Sequence, residues 1–315
     1  MIAGYPLGHA SNHGDSTFRL CQRYLPMAAS RRTTPSPRGA TLRPVTAQAS
    51  SMRQVAASDE RTSPGARALD RLLIAPGRAD RITHVEQLPA RLARRAQWPT
   101  WLDQGVVAAY LRLGIAAPWA HQAEAAELAH RGHCVVVATG TASGKSLAYQ
   151  LPVLQALVAP DGGKRPDPPT VLYLSPTKAL AADQLRALRE LGLPQVRAAT
   201  YDGDTPQEER RWIRAHANLV LANPDLVHHS MLPGHRQWAS FLRGLRYVVI
   251  DECHGYRGMF GSHVAQVIRR LRRTAARYGA SPVFVLASAT VSQPAVSASR
   301  LTGLDVREVT DDASP

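Results

Sequence analysis

Residues 138–146 read Ala138-Thr-Gly-Thr-Ala-Ser-Gly-Lys-Ser146. The apolar run Val135-Val-Val-Ala138 enters this stretch, and the helix-compatible run Lys145-Ser-Leu-Ala-Tyr-Gln-Leu151 leaves it. A strand feeding a loop of small residues that opens a helix is the context of a phosphate-binding P-loop. Gly140 and Gly144 let backbone N–H groups close around a phosphate, and the helix N-terminus adds partial positive charge. Lys145 is spaced to reach the β- and γ-phosphates, and the Ser146 hydroxyl to help hold Mg²⁺. The general pattern has glycine five residues before Gly144, where this chain has Thr139. Lysine stands only at positions 145, 164 and 178 among 38 Lys+Arg. A lysine where a P-loop needs a compact point charge therefore runs against the composition. Taken alone, the stretch also reads as a Gly/Ser-rich turn ahead of an ordinary helix.

A P-loop needs a metal-holding carboxylate at the end of another strand, and Tyr247-Val-Val-Ile-Asp251-Glu252-Cys253-His254 supplies one. Asp251 is placed to hold Mg²⁺ through its water shell, and Glu252 to orient or deprotonate the attacking water. Two acids directly after an apolar strand are costly unless something pairs with them. A strand that simply ends in solvated acids is the alternative, and the P-loop upstream weighs against it.

Between and around these stretches, short apolar runs alternate with helical patterns. Strands are expected at 135–138, 170–175, 195–201, 218–222, 247–251 and 283–288. Helices are expected at 101–113, from Pro118 to about 130, and at 145–157, 178–191, 207–215, 225–232 and 262–278. This alternation predicts an α/β fold, a parallel sheet flanked by helices on both faces. Residues 159–169 read as a surface loop. Residues 1–65 show no sustained period and read as a disordered extension, or, given Met52, as an upstream start-site artefact.

The net charge of +14 and pI near 10.5 point to a polyanionic partner. Nine arginines against three acids in residues 1–68 carry part of that charge. The Arg-rich, Lys-poor composition also fits a GC-rich genome. Cys21, Cys134 and Cys253 fit neither a disulfide framework nor a zinc pair, so reduced thiols and a cytoplasmic location are expected. No apolar stretch approaches a membrane span. The Arg/Ser-rich start has no signal-peptide core, and it resembles a transit peptide only superficially. In Arg269-Arg-Leu-Arg-Arg273, the apolar stripe Val264, Val267, Ile268 and Leu271 leaves the arginines outward, which reads as a solvated face rather than a nucleic-acid patch. Cys253, His254 and His263 match no zinc spacing.

From about Gly114 onward, the sequence resembles superfamily 2 helicases of the DEAD/DEAH type. Thr141-Ala142-Ser143-Gly144-Lys145-Ser146 looks like motif I, with Ala142 in the usual glycine place. Pro176-Thr177-Lys178 opens a stretch like motif Ia, Asp251-Glu-Cys-His254 looks like motif II, and Ser288-Ala-Thr290 like motif III. Gln122 sits where the family's adenine-reading glutamine falls. Tyr201-Asp-Gly203-Asp204 and Asn223-Pro224-Asp225 occupy the places of further strand-contact motifs. Asp251-Glu-Cys-His-Gly-Tyr-Arg-Gly-Met-Phe-Gly261 is similar to helicases of the mitomycin repair factor A type and their fungal RecQ-related cousins.

The resemblance implies a RecA-like P-loop lobe that binds ATP and Mg²⁺ and translocates 3′–5′ on DNA, in repair. It assigns Lys145, Asp251 and Glu252 to catalysis, residues 141–146 and Gln122 to nucleotide, and Ser146 and Asp251 to Mg²⁺. Pro176, Thr177, Lys178, Gly203, Asn223 and Pro224 fall to the nucleic acid. His254, Ser288 and Thr290 fall to coupling between the two sites, although His254 also reads as a plain surface residue. Such motors work between two RecA-like lobes, the second supplying an arginine finger. The Gln/His-x-x-Gly-Arg-x-x-Arg pattern of that lobe is not found. The sequence therefore reads as extension (1–65), lead-in with a helix (66–113), first lobe (114–303) and start of an interlobe linker (304–315). That reading makes it part of a longer protein through truncation, a split gene or a gene-model error. A non-catalytic module that binds nucleotide and nucleic acid without turnover, or an RNA helicase lobe, are the alternatives.

Overall fold

A computed structural model of the chain describes Arg71, residues 92–159 and residues 167–315. The expected extension at 1–65 and most of the expected loop at 159–169 lie outside the described residues. The chain divides into two units, Met1–Glu86 and Gln87–Pro315, and every element below belongs to the second.

In chain order these are α1 (Gln104–Arg112), α2 (Ala120–His130), β1 (Val135–Ala138), α3 (Ser146–Val158), β2 (Thr170–Leu174) and α4 (Lys178–Glu190). There follow β3 (Ala198–Thr200), α5 (Gln207–His216), β4 (Leu219–Ala222), α6 (Pro224–Leu226) and α7 (Ala239–Arg243). The last five are β5 (Leu245–Ile250), α8 (Gly258–Arg277), β6 (Val283–Ser288), α9 (Pro294–Thr302) and β7 (Arg307–Val309). The strands form one sheet in the order β3-β4-β2-β5-β6-β1-β7, and every pairing is parallel.

The strand sequences explain why both faces are covered. Alternate residues of β1, β2, β5 and β6 point to opposite faces, and nearly all of them are apolar. Val136, Leu172, Val248 and Phe284 pack with Ile268 and Leu271 of α8. Val135, Val171, Val249 and Val285 pack on the other face with Leu151 of α3, Leu185 of α4 and Val106 of α1. Each such side chain contributes about 1.5–3 kcal/mol on burial. Because all strands run the same way, the loops that leave them share one edge of the sheet, where open α/β sheets bind ligands.

The structure differs from the sequence reading in five places, one of them the short helix α7, which has no expected counterpart. Residues 304–315, expected as the start of a linker, contribute β7, which pairs with β1 from Val135↔Arg307 to Val137↔Val309. The helix α9 was not expected at all. The helix expected at 225–232 is one α turn continued by a π turn over Val227–Met231. The arginines of 269–273 are not simply solvated. Arg269 donates to the Arg300 carbonyl (2.9 Å) and Arg272 to the Thr302 and Gly303 carbonyls (both 2.9 Å). Two guanidinium groups thus satisfy the orphan carbonyls at the end of α9, and Arg270 bonds His228 Nδ1 at 2.7 Å.

The first turn of α8 lies hard against the chain before it. A Cβ at Gly261 would stand 2.4 Å from the Tyr256 carbonyl oxygen, and neither backbone can yield cheaply. Gly261→Ala is expected to destabilise the fold by about 1–3 kcal/mol, read as a lower denaturant midpoint at unchanged slope.

Candidate functional site

The loop from β1 to α3 closes on itself before it meets any ligand. Ala142 (φ 65°) and Gly144 (φ 71°) both adopt the left-handed conformation, which turns successive N–H groups toward a common centre, the geometry of an anion-binding nest. Gly144 is required twice over, because a Cβ there would stand 2.6 Å from Gln122 Nε2. Thr139, the departure from the glycine pattern, is buried, and its hydroxyl bonds the Ser143 hydroxyl at 2.6 Å across the loop. Lys145 Nζ donates to the Gly140 carbonyl (2.7 Å) and the Thr139 carbonyl (3.3 Å), which lays the ammonium along the loop.

Gln122 is buried, and its amide is engaged at both ends. Its oxygen accepts the Trp119 N–H (2.8 Å), and its nitrogen donates to the Gly144 carbonyl (2.8 Å). As placed, it braces the P-loop against the start of α2.

Asp251 is 8% exposed at the end of β5, next to β2 in the sheet. Oδ2 accepts a hydrogen bond from the Tyr173 hydroxyl and a longer one from the Tyr149 hydroxyl (3.5 Å), and Oδ1 accepts the Glu252 N–H (2.9 Å). Burial pushes both phenols well above the ordinary tyrosine range, so they stay protonated and donate. The Tyr149 hydroxyl also reaches Ser146 Oγ (3.2 Å), to which Gln184 Nε2 donates at 3.4 Å. One tyrosine therefore brings the Ser146 hydroxyl and the Asp251 carboxylate to the same spot. Sequence reasoning missed Tyr149, Tyr173 and Gln184. Tyr149 carries the one local signal, three residues after Ser146 on one helix face.

Glu252 takes a left-handed backbone (φ 48°) that is uncommon for a side-chain-bearing residue. Its carboxylate lies 3.1 Å from His254 Nδ1, and the same nitrogen lies 3.2 Å from the Ala289 N–H. One ring nitrogen cannot donate to Glu252 and accept from Ala289 at once, so the two contacts exclude each other by tautomer. His254, Ser288 and Thr290 line a common cleft of about 650 Å³ with Cys253. Burial pushes the Cys253 thiol up to about 12, which keeps it protonated.

The residues assigned to nucleic acid follow β2, β3 and β4, at the opposite end of the same loop-bearing edge from the P-loop. Thr177, Lys178, Tyr201, Asp202 and Asn223 line one shallow groove. Thr177 caps α4 by accepting the Leu180 N–H (3.3 Å), and Asn223 caps α6 by accepting the Leu226 N–H (2.8 Å). Lys178 and Gly203 are exposed, whereas Pro224 is buried as the first residue of α6 and shapes the turn. Lys178 pairs with the Asp204 carboxylate, which raises the lysine pKa through the hydrogen bond between them. Arg210 of α5, which the sequence did not single out, holds the neighbouring loop. It donates to the Asp202 and Thr205 carbonyls (both 2.8 Å) and lies over the Tyr201 ring at 5.1 Å.

A seven-stranded parallel sheet with a nest after β1 and adjacent acids after β5 defines a RecA-like P-loop lobe. The family model of the DEAD/DEAH box helicases matches residues 119–298. The chain belongs to that family. It is 41% identical over 240 residues to the Bacillus subtilis ATP-dependent helicase YprA, covering 75% of this chain and 31% of that protein. With the Saccharomyces cerevisiae ATP-dependent helicase HRQ1 it is 42% identical over 205 residues, 62% of this chain and 18% of the relative. Among solved structures, the DUF1998 helicase MrfA bound to DNA and AMPPNP matches with a TM-score of 0.67. The identity is 43%, with 71% of this chain and 31% of that one covered. The chain thus spans about a third or less of the length of these relatives.

Removing the Tyr173 hydroxyl leaves a buried carboxylate short of a donor. Tyr173→Phe is expected to cost about 1–3 kcal/mol in denaturant unfolding, and Tyr149→Phe less, because its bond to Asp251 is longer.

Proposed function

We propose that this lobe binds ATP with Mg²⁺ and, with a second RecA-like lobe in the same polypeptide or in trans, hydrolyses it to move along a DNA strand. The observation that carries the reading is the meeting of Ser146 Oγ and Asp251 Oδ2 on one tyrosine hydroxyl, beside the left-handed pair Ala142 and Gly144. A hydroxyl and a single carboxylate are hard oxygen donors suited to Mg²⁺, which keeps several waters and takes the rest of its shell from phosphates. Bound there, the metal and nucleotide would supply the scissile phosphoanhydride and neutralise its charge.

The chain's own residues divide the remaining work. The nest and Lys145 bind the phosphates, with Lys145 exchanging its loop carbonyls for phosphate oxygens. Thr141, Ser143 and Gln122 hold the loop and the base side. Glu252 takes a proton from the attacking water, its backbone already turned out of the strand. His254, bonded either to Glu252 or to the N–H of Ala289 between Ser288 and Thr290, passes the state of that carboxylate to the third motif.

The groove lined by Thr177, Lys178 and Asn223, with Pro176, Gly203 and Pro224 beside them in the same loops, binds the strand backbone. DNA is favoured over RNA because the MrfA relative at 43% identity is described as bound to DNA. The 3′–5′ direction, a place in repair and a cytoplasmic location follow from the resemblance and the cysteine usage. Among the described residues no helix is long and apolar enough to cross a membrane. A lobe that binds without turnover is the second reading, favoured by the need for an arginine from another lobe.

Lys145→Ala is expected to abolish binding of a fluorescent ATP analogue, and Glu252→Gln to keep binding while removing any DNA-stimulated hydrolysis. Equal affinity in wild type and the Lys145 variant would sink the P-loop assignment, while bound nucleotide without turnover in wild type would select the second reading.

Strand binding is expected to respond to the exposed ion pair. Lys178→Ala should lower the slope of log affinity against log salt by about 1. Asp204→Asn, which frees the lysine, should tighten binding at low salt. Unchanged titrations for both variants would remove Lys178 from the interface.

A further inference from the structure

One buried titratable group has no part in the chemistry above. His121, one residue before Gln122, is 1% exposed, and both ring nitrogens are engaged by segments far apart in the chain. Nδ1 lies 3.2 Å from the Ala313 N–H, and Nε2 lies 3.1 Å from the Ser143 carbonyl oxygen. An N–H only donates and a carbonyl only accepts, so these partners fix the tautomer. The ring is neutral, with Nδ1 accepting and the proton on Nε2.

The segment that His121 grips follows β7 and touches the P-loop a second time. Asp312 Oδ2 accepts the Gly140 N–H (3.2 Å), and Asp312 Oδ1 is held by the Ser314 N–H (3.0 Å) and hydroxyl (2.6 Å). The Ala313 carbonyl accepts the Arg94 N–H (2.9 Å), and Arg94 pairs with Asp311 (2.5 Å). Gly140 and Ser143 of the P-loop are thereby tied to the adjacent residues Asp312 and Ala313, the latter pair through a single imidazole.

We propose that His121 is a positioning residue for nucleotide binding: its neutral ring locks the P-loop carbonyl of Ser143 to residues 311–314, so that the shape of the phosphate nest and the path of the chain after β7 are set together. The proposal rests on the reading of the P-loop as a nucleotide site and adds a residue and a pH dependence to it. Protonation at Nδ1 would set two N–H groups against each other at Ala313 and turn the ring toward Asp312 Oδ1, now 3.9 Å away. That movement draws the carboxylate from Gly140.

The groups facing the ring are Asp312 and Asp311, which favour the cation, and Lys145, which opposes it. Burial outweighs the acids and holds the ring below the ordinary histidine value. The folded state therefore binds fewer protons than the unfolded chain. Stability from the neutral bridge is fully present above the ordinary histidine pKa of about 6.5 and is lost as the pH falls below it.

The test is a titration of the whole chain with a fluorescent ATP analogue at pH 7.5 and pH 5.5, for wild type, His121→Ala, His121→Gln and Lys145→Ala. Thermal melts would confirm that each variant is folded. Wild-type affinity is expected to fall several-fold at the lower pH. His121→Ala should bind about tenfold more weakly at pH 7.5. His121→Gln, whose amide can donate to Ser143 at any pH, should recover much of the affinity and lose the histidine step in the profile. Wild-type affinity in His121→Ala, or one shared pH profile for wild type and His121→Gln, would overturn the proposal. Wild type indistinguishable from Lys145→Ala at both pH values would instead mean that the nucleotide reading itself had failed. Protection of the Ala313 amide against exchange, lost in His121→Ala without nucleotide, would then still report whether the bridge exists.

Discussion

A carboxylate buried at the end of a strand is the constraint around which this lobe is arranged. Asp251 cannot be left among the apolar side chains of β5 and its neighbours without donors, and the structure supplies three from three elements: Tyr149 on α3, Tyr173 on β2 and the N–H of Glu252. Meeting that need fixes more than the acid. It draws the first turn of α3 over the end of β5, holds Ser146 beside the carboxylate, and turns the backbone sharply at Glu252 so that the next acid leaves the sheet. The P-loop and the acids, more than a hundred residues apart, are thus brought to one place through the Tyr149 hydroxyl.

The second consequence of a parallel sheet is that every loop with a function leaves from the same edge, yet the loops are not alike in how they are held. The P-loop is braced internally and from α2. The groove around Lys178 is held by helix caps from Thr177 and Asn223 and by Arg210, which threads its guanidinium under the loop at 201–205. Between them, His254 stands with one nitrogen between two partners. Of these three, only His254 has two mutually exclusive contacts of similar geometry.

The sequence exposed what is local and hid what is assembled. The P-loop, the acids after β5 and six of the seven strands were legible because each is a contiguous run with its own period or spacing. β7 was not, because Arg307-Glu308-Val309 has no apolar run, and its strand character comes from pairing with β1. α9 starts after a left-handed Gln293 and carries only a weak stripe, and its C-terminal end is held by Arg269 and Arg272 reaching over from α8. Those arginines read as solvent-facing because periodicity reports which side of a helix is apolar and says nothing of a neighbouring helix end. Tyr173 and His121 were invisible for a related reason: their partners lie 78 residues away in one case and 22 and 192 in the other.

β7 and β3 are the two margins of the sheet, and each is only three residues long. Arg307 and Glu308 on β7 are exposed and oppositely charged. Short margins, charged in the case of β7, disfavour the addition of a foreign strand. The apolar interior strands, which alone would template aggregation, are thereby shut in on both sides, and the lobe keeps its sheet closed to strangers while leaving the loop edge open for its ligands.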